Sequence, residues 1–319
     1  MAELPHALII AGPTASGKSA LAIGLAARLG GVVINADAMQ CTRELRIITA
    51  RPTQEDETLV PHALYGVRPA AESGNAACWR VEALREMNAA QAAGRLPILC
   101  GGTGMYFATL IDGLAEIPEC GEEARAEARW LLAEHGPAGL YASLAKVDQA
   151  TAARLQPNDS QRVARAWEVW RGTGRGLAAW QSDATVGAPW RFTVLQVDPP
   201  RDLLRAAIAR RLDLMLAAGV VEEIRNFMGL ALDPVLPAMR AHGVPQLIAY
   251  LRGESSLDAA IARIGVLTGQ YTKRQSTWFR HRRMADASRT HTITSRIADF
   301  TQFSERESAE ILAFIQALG

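Results

Sequence analysis

The chain is poor in lysine: only Lys18, Lys146 and Lys273 occur, so arginine carries nearly all the positive charge. With 34 basic and 33 acidic residues the formal net charge is +1, and no global field argues for a nucleic-acid partner. Only the distribution of charge can make that argument. Cysteine is also sparse. Cys41, Cys78, Cys100 and Cys120 form no C-x-x-C pair, which argues against a zinc site or a disulfide framework and for a reducing compartment. No apolar run approaches the ~18 residues that span a membrane. The N-terminus enters a strand without a basic start, so no signal peptide and a cytoplasmic location are expected. Internal repeats, H-E-x-x-H, G-x-S-x-G and Gly-rich dinucleotide signatures are missing. What remains is an ordinary globular composition of 319 residues, 49% hydrophobic and 21% charged, enough for about two domains.

The most informative stretch lies near the start. Leu8, Ile9 and Ile10 read as a buried strand. They run into Gly12-Pro13-Thr14-Ala15-Ser16-Gly17-Lys18-Ser19, which fits G-x-x-x-x-G-K-[ST], and Ala20–Leu29 follows as a helix. Strand, loop and helix together are the context a phosphate loop needs. Gly12 and Gly17 permit the backbone angles that turn successive N–H groups inward. Those groups and the helix N-terminus form an anion hole. Lys18 adds a point charge, and the Ser19 hydroxyl is suited to hold a magnesium ion.

Gly30-Gly31 stops the helix, and Val32–Asn35 reads as a second buried strand. It delivers Asp37 just beyond its C-terminal end, the edge at which open α/β sheets bind ligands. Asn35–Gln40 is therefore expected beside the phosphate loop, with Asp37 either functional there or a helix-capping turn residue. A helix over 83–93 leads to a third buried strand, Leu96–Cys100. That strand ends in Gly101-Gly102-Thr103-Gly104, so Thr103 joins the same edge. The expected fold class is α/β, a parallel sheet flanked by helices. P-loop kinases and NTPases usually place a second acid at such a strand end to hold magnesium. Here there is none. That weakens ATP hydrolysis as the purpose and leaves room for a cradle that holds a diphosphate leaving group.

From Glu122 to about 181 the pattern is helical and charged, with Arg125, Arg129, Arg154, Arg162, Arg165, Arg171 and Arg175. Asn158-Asp159-Ser160 caps a helix that carries Arg162 and Arg165 on one face. That face is either solvated or a contact surface. Trp190–Val197 then reads as a strand that returns the chain to the sheet. The domain boundaries expected are 1–114 with 191–319 for the core and its C-terminal helices, and 115–190 for an all-helical insertion. Arg201–Met228 reads as one long amphipathic helix through Leu204, Ile208, Leu212, Met215, Val220, Ile224 and Phe227. Arg210-Arg211 interrupt it, and an arginine there is able to snorkel. Thr272–Arg283 mixes basic and aromatic side chains, which suits phosphate contacts with base stacking or a solvated helix end.

Seven blocks in order resemble the bacterial tRNA dimethylallyltransferases, the tRNA isopentenyltransferase family, to about Arg283. Gly12–Ser19 fits GPTASGK[ST]; Asn35–Gln40 fits N-A-D-S-x-Q; Thr49–Thr53 fits T-A-K-P-[TS]. Tyr65-Gly66-Val67 with Trp79-Arg80 falls in the next block, and Gly101–Tyr106 fits G-G-T-G-[LM]-Y. Asn158–Arg162 fits P-N-D-x-Q-R, and Lys273–Arg280 fits K-R-Q-x-T-W-F-R. The departures are Ala38 for serine, Cys41-Thr42 for V-Y, Ile48 for a glycine, and Ala241–Gln246 for A-I-G-Y-K-E.

The resemblance implies a P-loop NTPase-like core with a helical insertion that grips the anticodon stem-loop of tRNA. It implies transfer of a dimethylallyl group from dimethylallyl diphosphate to N6 of the adenine immediately 3′ of the anticodon, in tRNAs reading codons that begin with U. Magnesium is implied as cofactor, and a monomer fits the family. Gly12, Thr14, Ala15, Ser16, Gly17, Lys18 and Ser19 would hold the diphosphate, Ser19 through the metal. Asp37 would be the general base, with Thr103 beside the reacting centre and Arg211 near the diphosphate. Asp37, Ala38, Met39, Gln40, Thr103, Arg125, Gln161, Arg162, Val163, Ala164 and Arg165 would contact tRNA, and Lys273, Arg274 and Gln275 likewise. The alternatives are a small-molecule P-loop kinase and a nucleotide-gated RNA-binding protein.

Overall fold

The computed structural model describes residues 3–317. In chain order the elements are β1 (His6–Ala11), α1 (Lys18–Leu29), β2 (Gly31–Asn35), α2 (Gln54–Leu59), β3 (His62–Ala63), α3 (Ala76–Ala92), β4 (Leu96–Gly101) and α4 (Gly104–Ile111). Then come α5 (Gly121–Val147), α6 (Gln149–Ala152), α7 (Ser160–Thr173) and α8 (Leu177–Gln181). The chain continues through β5 (Arg191–Val197), α9 (Arg201–Ala217), α10 (Val220–Met228), α11 (Val244–Leu251), α12 (Leu257–His281), β6 (Thr290–Ile293) and α13 (Glu305–Gln316). The chain divides into two compact units, residues 1–111 with 188–319, and residues 112–187.

The first unit is built on a parallel sheet in the order β3-β2-β4-β1-β5-β6. Strands β1, β2, β4 and β5 read as largely apolar runs because both faces are covered. Ala7, Ile9 and Ala11 of β1 enter one core with Trp79, Met87, Phe107 and Phe279. Leu8 and Ile10 enter the other with Leu21, Leu25, Phe300 and Ile311. Period-two alternation sends neighbours to opposite faces, and each buried leucine or isoleucine contributes roughly 1.5–3 kcal/mol. Helices α9 to α12 form a third core around Ile208, Ile224, Phe227, Leu247 and Ile264. The single helix expected over Arg201–Met228 is two. Gly219 takes a positive φ of 89° at the break and is the N-cap of α10.

From β1 the chain goes to β2 and out to β3, returns to insert β4 between β1 and β2, and then passes to β5 and β6 on the other side of β1. The order thus reverses beside β1, and the loops after β1, β2 and β4 leave the sheet on one edge. That is the place where such sheets bind ligands.

The second unit is helical. Helix α5 bends at Gly136, which has a φ of 66° and is followed by Pro137. Its core gathers Ala128, Leu131, Leu140, Leu144, Val163 and Ala166. Asp159 caps α7 by accepting the Arg162 N–H at 3.3 Å.

Candidate active site

The loop after β1 is a preformed concavity of N–H groups. The Ser16 N–H donates to the Pro13 carbonyl at 3.3 Å, and Gly17, at φ 93°, delivers the chain into α1. Among the described residues the N–H groups of Ala15, Gly17, Lys18 and Ser19 meet no protein acceptor. With the helix dipole behind them they make an anion site. Lys18 Nζ folds back to the Pro13 carbonyl at 3.3 Å. Burial is the main cause that lowers its pKa below the usual lysine range; Arg211 adds to the lowering, while Cys100 and Asp37 oppose it. The Cys100 thiol, on β4, is pushed up to about 11 by burial, so it stays protonated.

Asp37 is set by its neighbours. Asn35 is fully buried; its Nδ2 donates to the Asp37 and Leu64 carbonyls at 2.9 and 3.0 Å, and its Oδ1 accepts the Asp37 N–H at 2.8 Å. Trp79 Nε1 donates to the Asn35 carbonyl at 2.8 Å while its ring stacks on Tyr106 at 4.3 Å. One carboxylate oxygen of Asp37 accepts the Met39 N–H at 3.1 Å, so the turn-capping role holds for that oxygen alone. Thr103 ties the loops after β4 and β2 together. Its hydroxyl accepts the Ala38 N–H at 3.0 Å, and its own N–H donates to the Ala36 carbonyl at 3.2 Å. Gly101 permits that approach, since a Cβ there would lie 2.0 Å from the Ala36 oxygen.

Arg211 points from α9 to the Thr49 carbonyl at 3.3 Å, and Gln40 Nε2 donates to the same oxygen at 3.0 Å and to Ala50 at 2.8 Å. Burial lowers the Arg211 pKa and Asp37 opposes the shift. Lys18, Asp37 and Arg211 therefore feel one another's charge. Glu223 holds the loop that Arg211 and Gln40 use: its carboxylate accepts the N–H groups of Arg46, Ile47 and Ile48 at 2.7, 2.6 and 2.9 Å. Sequence reading misses this residue because an acid in the first turn of a helix is already explained by the dipole. Ile48, where the resembled family has glycine, packs against Gly243.

Gln275 is 5% exposed and braces two loops. Its Oε1 accepts the Thr14 N–H at 2.8 Å, and its Nε2 donates to the Gly102 carbonyl at 2.9 Å. Lys273 and Arg274 beside it are exposed. The Arg274 guanidinium lies 5.5 Å over Tyr271, whose ring is 4.7 Å from His242. The phosphate loop, Asp37–Gln40, Thr103, Arg211 and Gln275 thus belong to one edge of the first unit.

Arg125 and Gln161–Arg165 belong to the second unit. Arg125 lies 3.7 Å from Glu122, Arg162 3.4 Å from Asp159 and Arg165 3.2 Å from Glu168. Gln161, Arg162 and Arg165 are exposed, whereas helical periodicity turns Val163 fully into that unit's core. The Val163 side chain is therefore unavailable to any partner, and Ala164 is half-buried.

Fold and edge define a P-loop α/β protein whose anion cradle shares one sheet edge with a carboxylate, a threonine and a half-buried arginine. Comparison with known proteins gives the family. The sequence profile described as IPP transferase matches residues 40–282, and that of isopentenyl transferase matches residues 5–62. A tRNA dimethylallyltransferase of Granulibacter bethesdensis is 58% identical over 98% of both chains. One of Acidiphilium cryptum is 57% identical over 97% of this chain and 94% of its own. The crystal structure of a tRNA isopentenylpyrophosphate transferase from Bacillus halodurans superposes with a TM-score of 0.67 at 30% identity, covering 99% and 98% of the two chains. A eukaryotic dimethylallyltransferase acting on tRNA shares the fold at a TM-score of 0.78 and 23% identity, over 97% of this chain and 78% of that one. The chain belongs to the IPP transferase family, and the relatives that match it over nearly its full length are tRNA dimethylallyltransferases.

Proposed function

We propose that this enzyme transfers the dimethylallyl group of dimethylallyl diphosphate to N6 of the adenine immediately 3′ of the anticodon, in tRNAs reading codons that begin with U. The products are N6-(dimethylallyl)adenosine and diphosphate. The observation that carries the reading is the shared edge: an anion cradle beside a carboxylate, with Lys18 and Arg211 desolvated and free of any carboxylate at salt-bridge distance among the described residues. A kinase is disfavoured because the end of β4 carries glycines and Thr103 where such enzymes hold metal with an acid.

Each group then has a chemical task. The N–H groups of Ala15, Gly17, Lys18 and Ser19 and the Lys18 ammonium bind the diphosphate, and Arg211 adds further positive charge. As the allylic carbon–oxygen bond breaks, the electron pair leaves with the diphosphate and the cradle holds the added charge. The resonance-stabilised allyl group is taken by N6 of the adenine, and Asp37 accepts the N6 proton through its free carboxylate oxygen. Thr103, tied to the Asp37 turn, keeps the carboxylate beside the reacting centre. The adenine must leave its stack to reach this edge, as base-modifying enzymes require.

The residues present fit a divalent metal that arrives with the diphosphate. Ser19 is exposed on the first turn of α1, and among the described residues no cluster of three or more His, Cys, Asp or Glu side chains offers a metal cage. Magnesium suits that arrangement, since it keeps waters and binds substrate phosphates with few protein ligands; when bound, it neutralises charge on the leaving diphosphate. In the second unit, Arg125, Gln161, Arg162 and Arg165 supply exposed contacts for the tRNA backbone, and Lys273 and Arg274 do so in the first.

The test is direct. The enzyme is incubated with unmodified tRNA, magnesium and either dimethylallyl diphosphate or ATP, and the digested nucleosides are resolved by mass. Dimethylallyl adenosine with the first donor and no ATP turnover is expected. ATP-dependent phosphorylation of a small molecule would sink the reading.

A further inference from the structure

We propose that the segment after β6 is a strap that sets the phosphate loop, and that Arg296 is a positioning residue for diphosphate binding. The proposal rests on reading Gly12–Ser19 as the diphosphate cradle. The strap crosses the loop and takes two successive carbonyls from it. Arg296 Nε donates to the Ala15 carbonyl at 3.2 Å, and the Ile297 N–H donates to the Ser16 carbonyl at 3.0 Å. Because a peptide unit is planar, the carbonyl of one residue and the N–H of the next point in opposite directions. Drawing the Ser16 oxygen toward the strap aims the Gly17 N–H away from it, toward the concavity.

The loop needs this support. Ala15 has a φ of 66°, a left-handed conformation that residues with a Cβ avoid and that persists only where surrounding contacts enforce it. The contact is close, since a Cβ on Gly17 would lie 1.8 Å from the Ile297 oxygen. The strap is itself fastened. Gln302 Nε2 donates to the Arg296 carbonyl at 3.1 Å, and Gln302 Oε1 accepts the Ala298 N–H at 2.7 Å. Phe300 is buried against Gly24 of α1, with the Arg28 guanidinium 4.0 Å from its ring centre.

Among the described residues Arg296 has no carboxylate partner. Its charge is uncompensated beside an anion site, and its side chain is engaged only with a loop carbonyl. A charged donor makes the stronger kind of hydrogen bond to that carbonyl, and its field favours an incoming diphosphate. Both effects predict a defect confined to the phosphate ligand.

The experiment uses the full chain with Arg296→Ala, Arg296→Lys and, as a control for general destabilisation, Ile315→Ala in the core beneath α13. It measures the Kd of inorganic diphosphate with magnesium by calorimetry, KM for dimethylallyl diphosphate and for tRNA, and the melting temperature. Arg296→Ala is expected to weaken diphosphate binding and raise KM for the donor by about ten-fold, the scale of one charge-assisted hydrogen bond, with KM for tRNA unchanged. Arg296→Lys, which keeps a charged donor, restores most of the loss. Ile315→Ala lowers the melting temperature and leaves diphosphate affinity unchanged. Wild-type diphosphate affinity in Arg296→Ala overturns the proposal alone. A loss shared equally by tRNA, or reproduced by Ile315→Ala, overturns it in favour of general destabilisation. If the wild-type enzyme fails to bind diphosphate, the cradle reading falls and takes the strap with it.

Discussion

The cations of the sheet edge and those of the helical unit live in opposite environments. Lys18 and Arg211 are desolvated, and burial lowers the pKa of both. Among the described residues each donates only to a backbone carbonyl. In the helical unit Arg125, Arg162, Arg165 and Arg171 are exposed and Arg175 is half-exposed, and each has an acid within 4 Å. Exposed pairs of this kind are worth little and exchange partners at small cost. The edge therefore holds charge in reserve for an anion, while the helical unit presents charge that is already compensated and easily redirected. Affinity at the first should resist salt, and affinity at the second should follow it.

The largest effect expected is at the edge. Asp37→Ala should lower the transfer rate by roughly 10²–10⁴-fold, the usual contribution of a general base, while tRNA affinity stays within two- or three-fold of wild type by filter binding. Near-wild-type turnover would remove Asp37 from the chemistry. Lys18→Met sharpens the contrast with the helical unit. It should cost about 10²–10³-fold, as expected for one lost stabiliser of developing charge, and by the same fold at low and high salt. A defect that vanishes in high salt would mean that Lys18 acts as a surface charge.

An intermediate effect is expected from Glu223, which touches no reacting group. Glu223→Gln keeps the shape but loses the charge that gathers three N–H groups of the 46–48 loop. The Thr49 carbonyl shared by Gln40 and Arg211 should loosen, and kcat should fall about ten-fold while the melting temperature drops by only a few degrees, the scale of one weakened charge-assisted bond. A fall in melting temperature without a fall in kcat would make Glu223 a fold brace only.

This division also explains what the sequence reveals. Strands β1, β2, β4 and β5 are legible because burial on both faces leaves uninterrupted apolar runs. Strand β3 has two residues, and β6 exposes His291 and Thr292, so neither leaves a run to read. The phosphate loop is legible because backbone geometry dictates its glycines. The braces are not, because each acts across the chain: Glu223 over 175 residues to Ile48, Gln275 over 261 to Thr14, Arg296 over 281 to Ala15. No local pattern announces a partner that distant. The Gln161–Arg165 block is legible as a unit, but only the helix in place separates the outward Arg162 from the inward Val163.

The smallest effect is expected at Arg162, and it tests the other half of the contrast. Its side chain is 74% exposed and its pairing with Asp159 at 3.4 Å holds it only loosely. Exchanging that partner for a phosphate releases a counterion from the RNA, so the gain depends on salt. Arg162→Ala should therefore weaken tRNA binding by only about two- to ten-fold and reduce the slope of log affinity against log salt by about one. The rate at saturating tRNA should be unchanged, because Arg162 belongs to a separate compact unit from Asp37. Binding and salt slope identical to wild type would assign Arg162 to a solvated helix face. A lower saturating rate would mean that the helical unit does more than hold the RNA, and that charge in the two regions cannot be treated separately.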